Sequence, residues 1–318
     1  MYANVRGIRS KLVSITEILS EKNPQMFLIT ETLLCANTGI NIKGYTFFGR
    51  KRVAKTGGGV GILVRNDVRS NVAAHISDRD IEIMWVSVRR KNLPPLITGV
   101  YYGKQECRTT KAEIEMEMQL LNEEIEEMSK DGELLIAMDG NAKIGLLGEK
   151  ISRNGQILLQ TFENTGINII NSSDICHGKV TRQNTKNSSE KSAIDFIVAN
   201  DTVKKWIKRM TIDEEGLYKI RGKNESDHNT IILSIEIEKL DRTRVEKRTI
   251  WNLRASHDKW EMYGDELERR CERASAIIMD PQIPMDTKYK KWFNEIDQAA
   301  RVSIGKTTVK TGGTEKVS

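Results

Sequence analysis

Residues 134–141 read LLIAMDGN, an apolar run of strand length that ends on an acid, Asp139, with Asn141 two residues on. Five apolar residues in succession suit a strand buried on both faces. The acid that closes it has two readings. It is a turn or cap residue, or it is one group of a site, because the ends of packed strands are rigid and open to solvent.

The arrangement recurs along the chain. MFLIT at 26–30 is followed by Glu31, SAIDFIVA at 192–199 contains Asp195, and ESDHNTIILSIEI at 225–237 sets Ser226, Asp227 and His228 ahead of an apolar strand. Asp195 resists the turn reading, since a buried charge needs a partner. Further strands are expected at GGGVGILV (57–64), IMWVSV (83–88), LITGVYY (96–102) and INII (167–170), with Pro94–Pro95 as a turn. Leu12, Ile15 and Leu19 recur at helical spacing before Pro24. Residues 110–130 form the clearest helix, with a Thr110/Glu113 capping box, a stripe from Ile114 to Met128 and a solvated face of glutamates. Another helix is expected near 155–164, and TRQNTKNSSEK at 181–191 reads as a loop. After about residue 240 strand patterns stop, and two charged amphipathic helices follow at 257–279 and 287–302, carrying Trp260 and Trp292.

The chain has 318 residues, 38% hydrophobic and 30% charged, the balance of a soluble globular protein rather than a disordered one. No apolar stretch has the length of a membrane span and no N-terminal run suits a signal peptide, so the expected setting is intracellular, nuclear or cytoplasmic, and not secreted. Four scattered cysteines, Cys35, Cys107, Cys176 and Cys271, lack zinc spacing and read as reduced thiols. A net charge of +6 fits a polyanion partner, though only mildly.

Acids, amides and one histidine without cysteine make a hard donor set, suited to Mg²⁺ or Mn²⁺. Such an ion beside phosphate oxygens neutralises charge and helps activate water. An acid against one nitrogen of His228 would fix its tautomer, and Asp195 is the natural candidate.

These stretches, together with NVRGIRSK at 4–11, TGVYY at 98–102 and SDHNTI at 226–231, resemble the endonuclease/exonuclease/phosphatase family. Within it they are most similar to the endonuclease domains of non-LTR (LINE-like) retrotransposons. The resemblance runs in family order from about residue 4 to 237. It implies an α/β fold, a four-layer α/β/β/α sandwich of deoxyribonuclease type over residues 1–240. Residues 241–318 would be a helical extension or linker of the kind that leads, in retrotransposons, to a reverse transcriptase. It also implies roles. Glu31 would be the principal metal ligand, with Asn4 supporting metal and phosphate and Asp227 near a metal position. Tyr101 would contact the scissile phosphate. Asp139 would orient or deprotonate water, Asn141 would hold phosphate or water, and His228, held by Asp195, would stabilise the pentacovalent phosphate or move a proton. Which of Asp139 and His228 is the base stays open.

The sequence departs from the family pattern in carrying Met138-Asp139-Gly140-Asn141, a YGKQEC loop after Tyr101, and only Met1, Tyr2 and Ala3 ahead of Asn4. Arg50, Lys51, Arg52 and Lys55 could track a DNA backbone or form a solvated turn. The leading expectation is a Mg²⁺-dependent endonuclease that nicks DNA. The alternatives are an inactive relic that binds nucleic acid or protein, and a phosphatase of the same fold.

Overall fold

The computed structural model describes residues 1–34, 39–50, 57–73, 80–185, 187, 189–238, 240 and 247–310. The chain divides into two compact units, Met1–Thr243 and Arg244–Ser318. In chain order, the first unit contains strand β1 (Tyr2–Asn4), helix α1 (Leu12–Lys22), then β2 (Met26–Thr30), β3 (Tyr45–Arg50), β4 (Val60–Arg65), β5 (Ser70–Val72), β6 (Ile83–Arg90) and β7 (Leu93–Tyr102). It continues through α2 (Lys111–Asp131), β8 (Glu133–Asp139), α3 (Arg153–Thr165), β9 (Asn168–Ile169), β10 (Cys176–His177), β11 (Arg182–Gln183), β12 (Lys191–Ser192), β13 (Asp195–Ala199), α4 (Asp201–Trp206), β14 (Ile207–Ile212) and β15 (Ile231–Ile235). The second unit contains β16 (Lys247–Trp251), α5 (His257–Met279), α6 (Met285–Val302) and β17 (Lys306–Lys310).

Two sheets carry the first unit, ordered β10-β14-β15-β1-β2-β4-β3 and β5-β6-β7-β8-β13-β9. Period-two alternation sorts their side chains into layers. Leu28 and Ile62 of one sheet meet Val86, Val100, Ala137 and Ile197 of the other in a core between the sheets. Phe27 and Ile29 point the opposite way, onto Ile15 and Leu19 of α1. On the outer side of the second sheet, Ile114, Leu121 and Ile125 of α2 and Phe162 of α3 cover Leu134 and Ile136. The result is the expected α/β/β/α layering.

The helices form where their caps allow. Thr110 Oγ1 accepts the Glu113 N–H while Glu113 Oε2 accepts the Thr110 N–H, the expected capping box. Ser152 caps α3, which ends at Gly166 with φ +66°. Four expectations need correcting. The glutamates of α2 are not all solvated. Glu117 and Glu124 are buried, and Trp85 Nε1 donates to Glu124 at 3.0 Å, because α2 has a polar seam against the sheet as well as an apolar stripe. Pro94 and Pro95 lie inside β7. The turn is made one step earlier, where Asn92 takes φ +58°. The stretch at 181–191 includes the short paired strands β11 and β12. Beyond residue 240, β16 and β17 pair antiparallel, with β-branched residues alternating with lysines. No helix among the described residues is long and apolar enough to cross a membrane.

Candidate active site

Register brings the acids together. β1 runs parallel to β2 with Asn4 opposite Thr30, so Asn4 and Glu31 leave the sheet side by side. β15 runs antiparallel to β1, which places its entry, Asp227 and His228, at the same end. In the facing sheet Asp139 pairs directly with Asp195, and Tyr102 with Asp139. Two acids directly opposite on neighbouring strands repel, an arrangement that fold stability alone does not favour.

His228 is fixed from several sides. Its Nδ1 lies 3.0 and 2.8 Å from the two oxygens of Asp195, which is fully buried. Tyr2 donates its hydroxyl to the same carboxylate at 2.8 Å. Burial, then Asp195 and Asp139, hold the Tyr2 phenol well above its ordinary value, so it stays a donor. Thr181 Oγ1 accepts the N–H groups of Ile194 and Asp195. Ser226 donates to the Asn4 carbonyl at 2.6 Å and accepts the His228 N–H, which fixes the tripeptide before β15 against β1. His228 Nε2 is left facing Asp227 Oδ1 at 3.8 Å and Asp139 Oδ2 at 4.0 Å. Burial opposes charge on the imidazole, but Asp195, Asp139 and Asp227 outweigh it and push His228 up to about 9.

Asn4 joins the other two acids. Its Nδ2 donates to Glu31 Oε1 at 3.0 Å and to Asp139 Oδ2 at 2.9 Å, while its Oδ1 accepts the Arg6 N–H. Tyr102 donates to Glu31 Oε1 at 3.2 Å. Burial, then Asp195, push Asp139 up to about 7, with Glu31 adding to the rise and His228 opposing it. Asn141 donates its N–H to Asp139 Oδ1 and its Nδ2 to the Gly103 carbonyl. Arg6, Glu31 and Asn141 adopt φ of +45°, +52° and +45°, a concentration of left-handed non-glycine residues of the kind found at functional sites.

Of the sequence-predicted residues, Asn4, Glu31, Asp139, Asn141, Asp195, Asp227 and His228 converge. Asp227 does so within a cationic bracket, Arg6 Nη1 at 3.1 Å and Arg182 Nη2 at 2.8 Å. Burial works against its charge, but His228, Arg182 and Arg6 prevail and keep its carboxyl below the usual range. Tyr101 does not converge. Neighbouring residues of a strand face opposite ways, and Tyr101 packs in the core under α2 while Tyr102 faces the site. Burial and Glu117 hold the Tyr101 phenol far above its usual value. Arg50 donates to the Ile83 carbonyl at 3.3 Å, and Lys51, Arg52 and Lys55 lie outside the described residues. Sequence reading missed Tyr2, Arg6, Tyr102, Thr181 and Arg182. Only Tyr102 left a signal, since its register opposite Asp139 follows from the parallel pairing of two strands already recognised.

The donor set fits a hard cation. Ligand atoms of Asp139, Asp195 and His228 lie within 4.8 Å of one another, a grouping that could hold a metal ion. Asp195, however, is engaged by His228 and Tyr2. The less committed acids are Glu31 and Asp139, which share one amide nitrogen and raise rather than relieve local negative charge.

A model of the endonuclease-reverse transcriptase family matches residues 96–232. Among solved structures, the endonuclease domain of TRAS1, a telomere-specific non-LTR retrotransposon, superposes with a TM-score of 0.58 at 18% identity, covering 75% of this chain and 98% of that one. The 3'-5' exonuclease NExo from Neisseria meningitidis gives 0.56 at 18% identity, covering 74% and 98%. An AP endonuclease from Archaeoglobus fulgidus gives 0.54 at 14% identity, with the same coverage. No curated protein matches the sequence. The chain therefore has the deoxyribonuclease-like fold and resembles the endonuclease/exonuclease/phosphatase family, and within it the endonuclease domains of non-LTR retrotransposons.

Proposed function

We propose that the first unit is a divalent-metal-dependent phosphodiesterase that nicks DNA. The observation that carries this reading is the hydrogen-bonded convergence of Asn4, Glu31, Asp139 and the Asp195–His228 pair at one end of the two sheets. Glu31 and Asp139, with Asn4 beside them, would hold Mg²⁺ or Mn²⁺, which when bound supplies charge neutralisation at the phosphate and a more acidic water.

The chain's own groups divide the remaining work. A base must be ionised while its partner acid keeps its proton, and the two are recognised by environments that separate their pKa values. Asp139, near 7, lies below His228, near 9. This supports Asp139 as the group that orients and deprotonates water. It supports a protonated His228, its Nδ1 held by Asp195, as the Nε2–H donor to the phosphate oxygens. Asn141 is placed to hold the water or a phosphate oxygen beside Asp139, and Tyr102 takes the place at the site that Tyr101 was expected to fill. Arg6 and Arg182 supply partly exposed positive charge at the rim, consistent with a DNA backbone as partner. The inactive-relic reading is disfavoured by the completeness of this bonding. A phosphatase of the same fold would use the same groups and is separated by substrate alone.

The test uses the whole chain with supercoiled plasmid and Mg²⁺. Nicking is expected to vanish in EDTA and to fall at least 100-fold in Glu31→Gln and His228→Ala. Plasmid cut equally well by both variants would exclude this site, and wild-type protein that binds plasmid without nicking it would establish the relic.

A further inference from the structure

β1 is three residues long and lies between two strands of five, β2 and β15. It pairs with β2 at Tyr2↔Leu28, Ala3↔Ile29 and Asn4↔Thr30, and with β15 at Tyr2↔Ile231 only. The β1–β2 ladder is intact up to its first residue, because the Met1 carbonyl accepts the Leu28 N–H and the Met1 amine donates to the Met26 carbonyl, both at 2.9 Å. From Ile232 to Ile235, β15 has β14 on one side. On its other side, among the described residues, is a cavity of about 460 Å³. Its walls include Met26 and Leu28 of β2, Leu233 and Ile235 of β15, and Leu135 and Ile197 of the facing sheet. All six belong to the core between the sheets.

Extending the observed register defines what fits. The residue ahead of Met1 would lie between Met26 and Leu233 and, by alternation from Tyr2, would face the inner core. The third residue ahead would reach Ile235 and face the same way, while the second would turn outward. The opening thus has two parallel walls of backbone at strand spacing and an apolar floor. A small-molecule pocket of this size usually offers a few convergent polar side chains, and none of the six named wall residues is polar. At the mouth, burial pushes the Met1 amine down to about 5, so a charge is disfavoured there, whereas a peptide amide would keep the Met26 bond without one.

We propose that this cleft is a strand acceptor. It takes an extended segment of three residues running on from Met1, apolar at the first and third positions upstream, parallel to β2 and antiparallel to β15. The site lies directly behind Tyr2 and Asn4, the β1 residues that hold Asp195, Glu31 and Asp139.

The experiment compares full-length chains carrying Ile-Thr-Ile, Asp-Thr-Asp or Gly-Ser-Gly ahead of Met1. Thermal midpoint and amide exchange over residues 26–28 and 232–235 are measured in each. Ile-Thr-Ile is expected to raise the midpoint by about 3 °C or more and to slow exchange in both strands, with neither effect from the other two. Equal midpoints and equal exchange in all three would overturn the proposal. So would an apolar dye that binds the cleft equally well in the Ile-Thr-Ile chain and in the unextended one. Both readouts concern folding, so their failure would leave the nuclease reading standing.

Discussion

At the scale of single residues, the site works through opposed environments. Nicking should rise with pH as Asp139 ionises and fall again as His228 loses its proton, and a bound cation should move the acid limb below 7. Asp195→Asn leaves the shape of the pair but removes the charge that supports the imidazolium, so the basic limb should move to lower pH and nicking should drop by about 100-fold or more. Rate–pH profiles of the two proteins check this. The adjacent tyrosines separate cleanly. Tyr102→Phe should impair nicking, because it loses the bond to Glu31, whereas Tyr101→Phe should leave nicking near wild type. Tyr101 was the one site residue that the sequence misplaced among those described. The motif was read correctly, but strand phase decides which of two neighbouring hydroxyls faces inward, and phase is fixed only by pairing with β8. The buried carboxylates were more legible, since an acid inside an apolar run must find a partner there and a turn residue would not sit in such a run.

At the scale of elements, α2 carries more than its sequence pattern declared. Glu117 is buried beside Tyr101 and accepts the Lys104 N–H at 3.3 Å, and burial pushes it up to about 7 from an ordinary 4.5. An acid whose folded pKa lies above its unfolded one binds its proton more tightly when folded. Stability is then greatest below about 4.5 and declines as pH rises toward 7. Glu117→Gln should remove that slope and raise stability above pH 7 by at most about 3 kcal/mol, read by denaturant unfolding at two pH values. In the neighbouring strands, Gly99 lies opposite Trp85, and a Cβ there would meet the indole ring at 2.4 Å. Gly99→Ala should cost about 1–3 kcal/mol through displacement of the indole and its bond to Glu124, measurable by the same unfolding. Strands of continuous apolar sequence were legible in advance. The short strands β5, β10, β11 and β12 were not, because two or three paired residues leave no period to read.

At the scale of the whole molecule, the first unit holds every site residue and all three cores around the two sheets. A chain of residues 1–243 should unfold cooperatively and retain Mg²⁺-dependent nicking, as calorimetry and the plasmid assay would report. Loss of folding on removal of 244–318 would show that the second unit is needed for assembly of the first. The layering was predictable from the alternation of strand and helix patterns, but the pairing of Asp139 with Asp195 was not, since it joins strands far apart in sequence. That pairing matters beyond chemistry. A one-residue slip of β13 along β8 would reverse its faces and drive the Asp195 carboxylate into the apolar layer beneath α2 and α3, where no described cation waits for it. The two acids thus act as a registration mark during folding, and replacing both with leucine should yield a chain that refolds into more than one form.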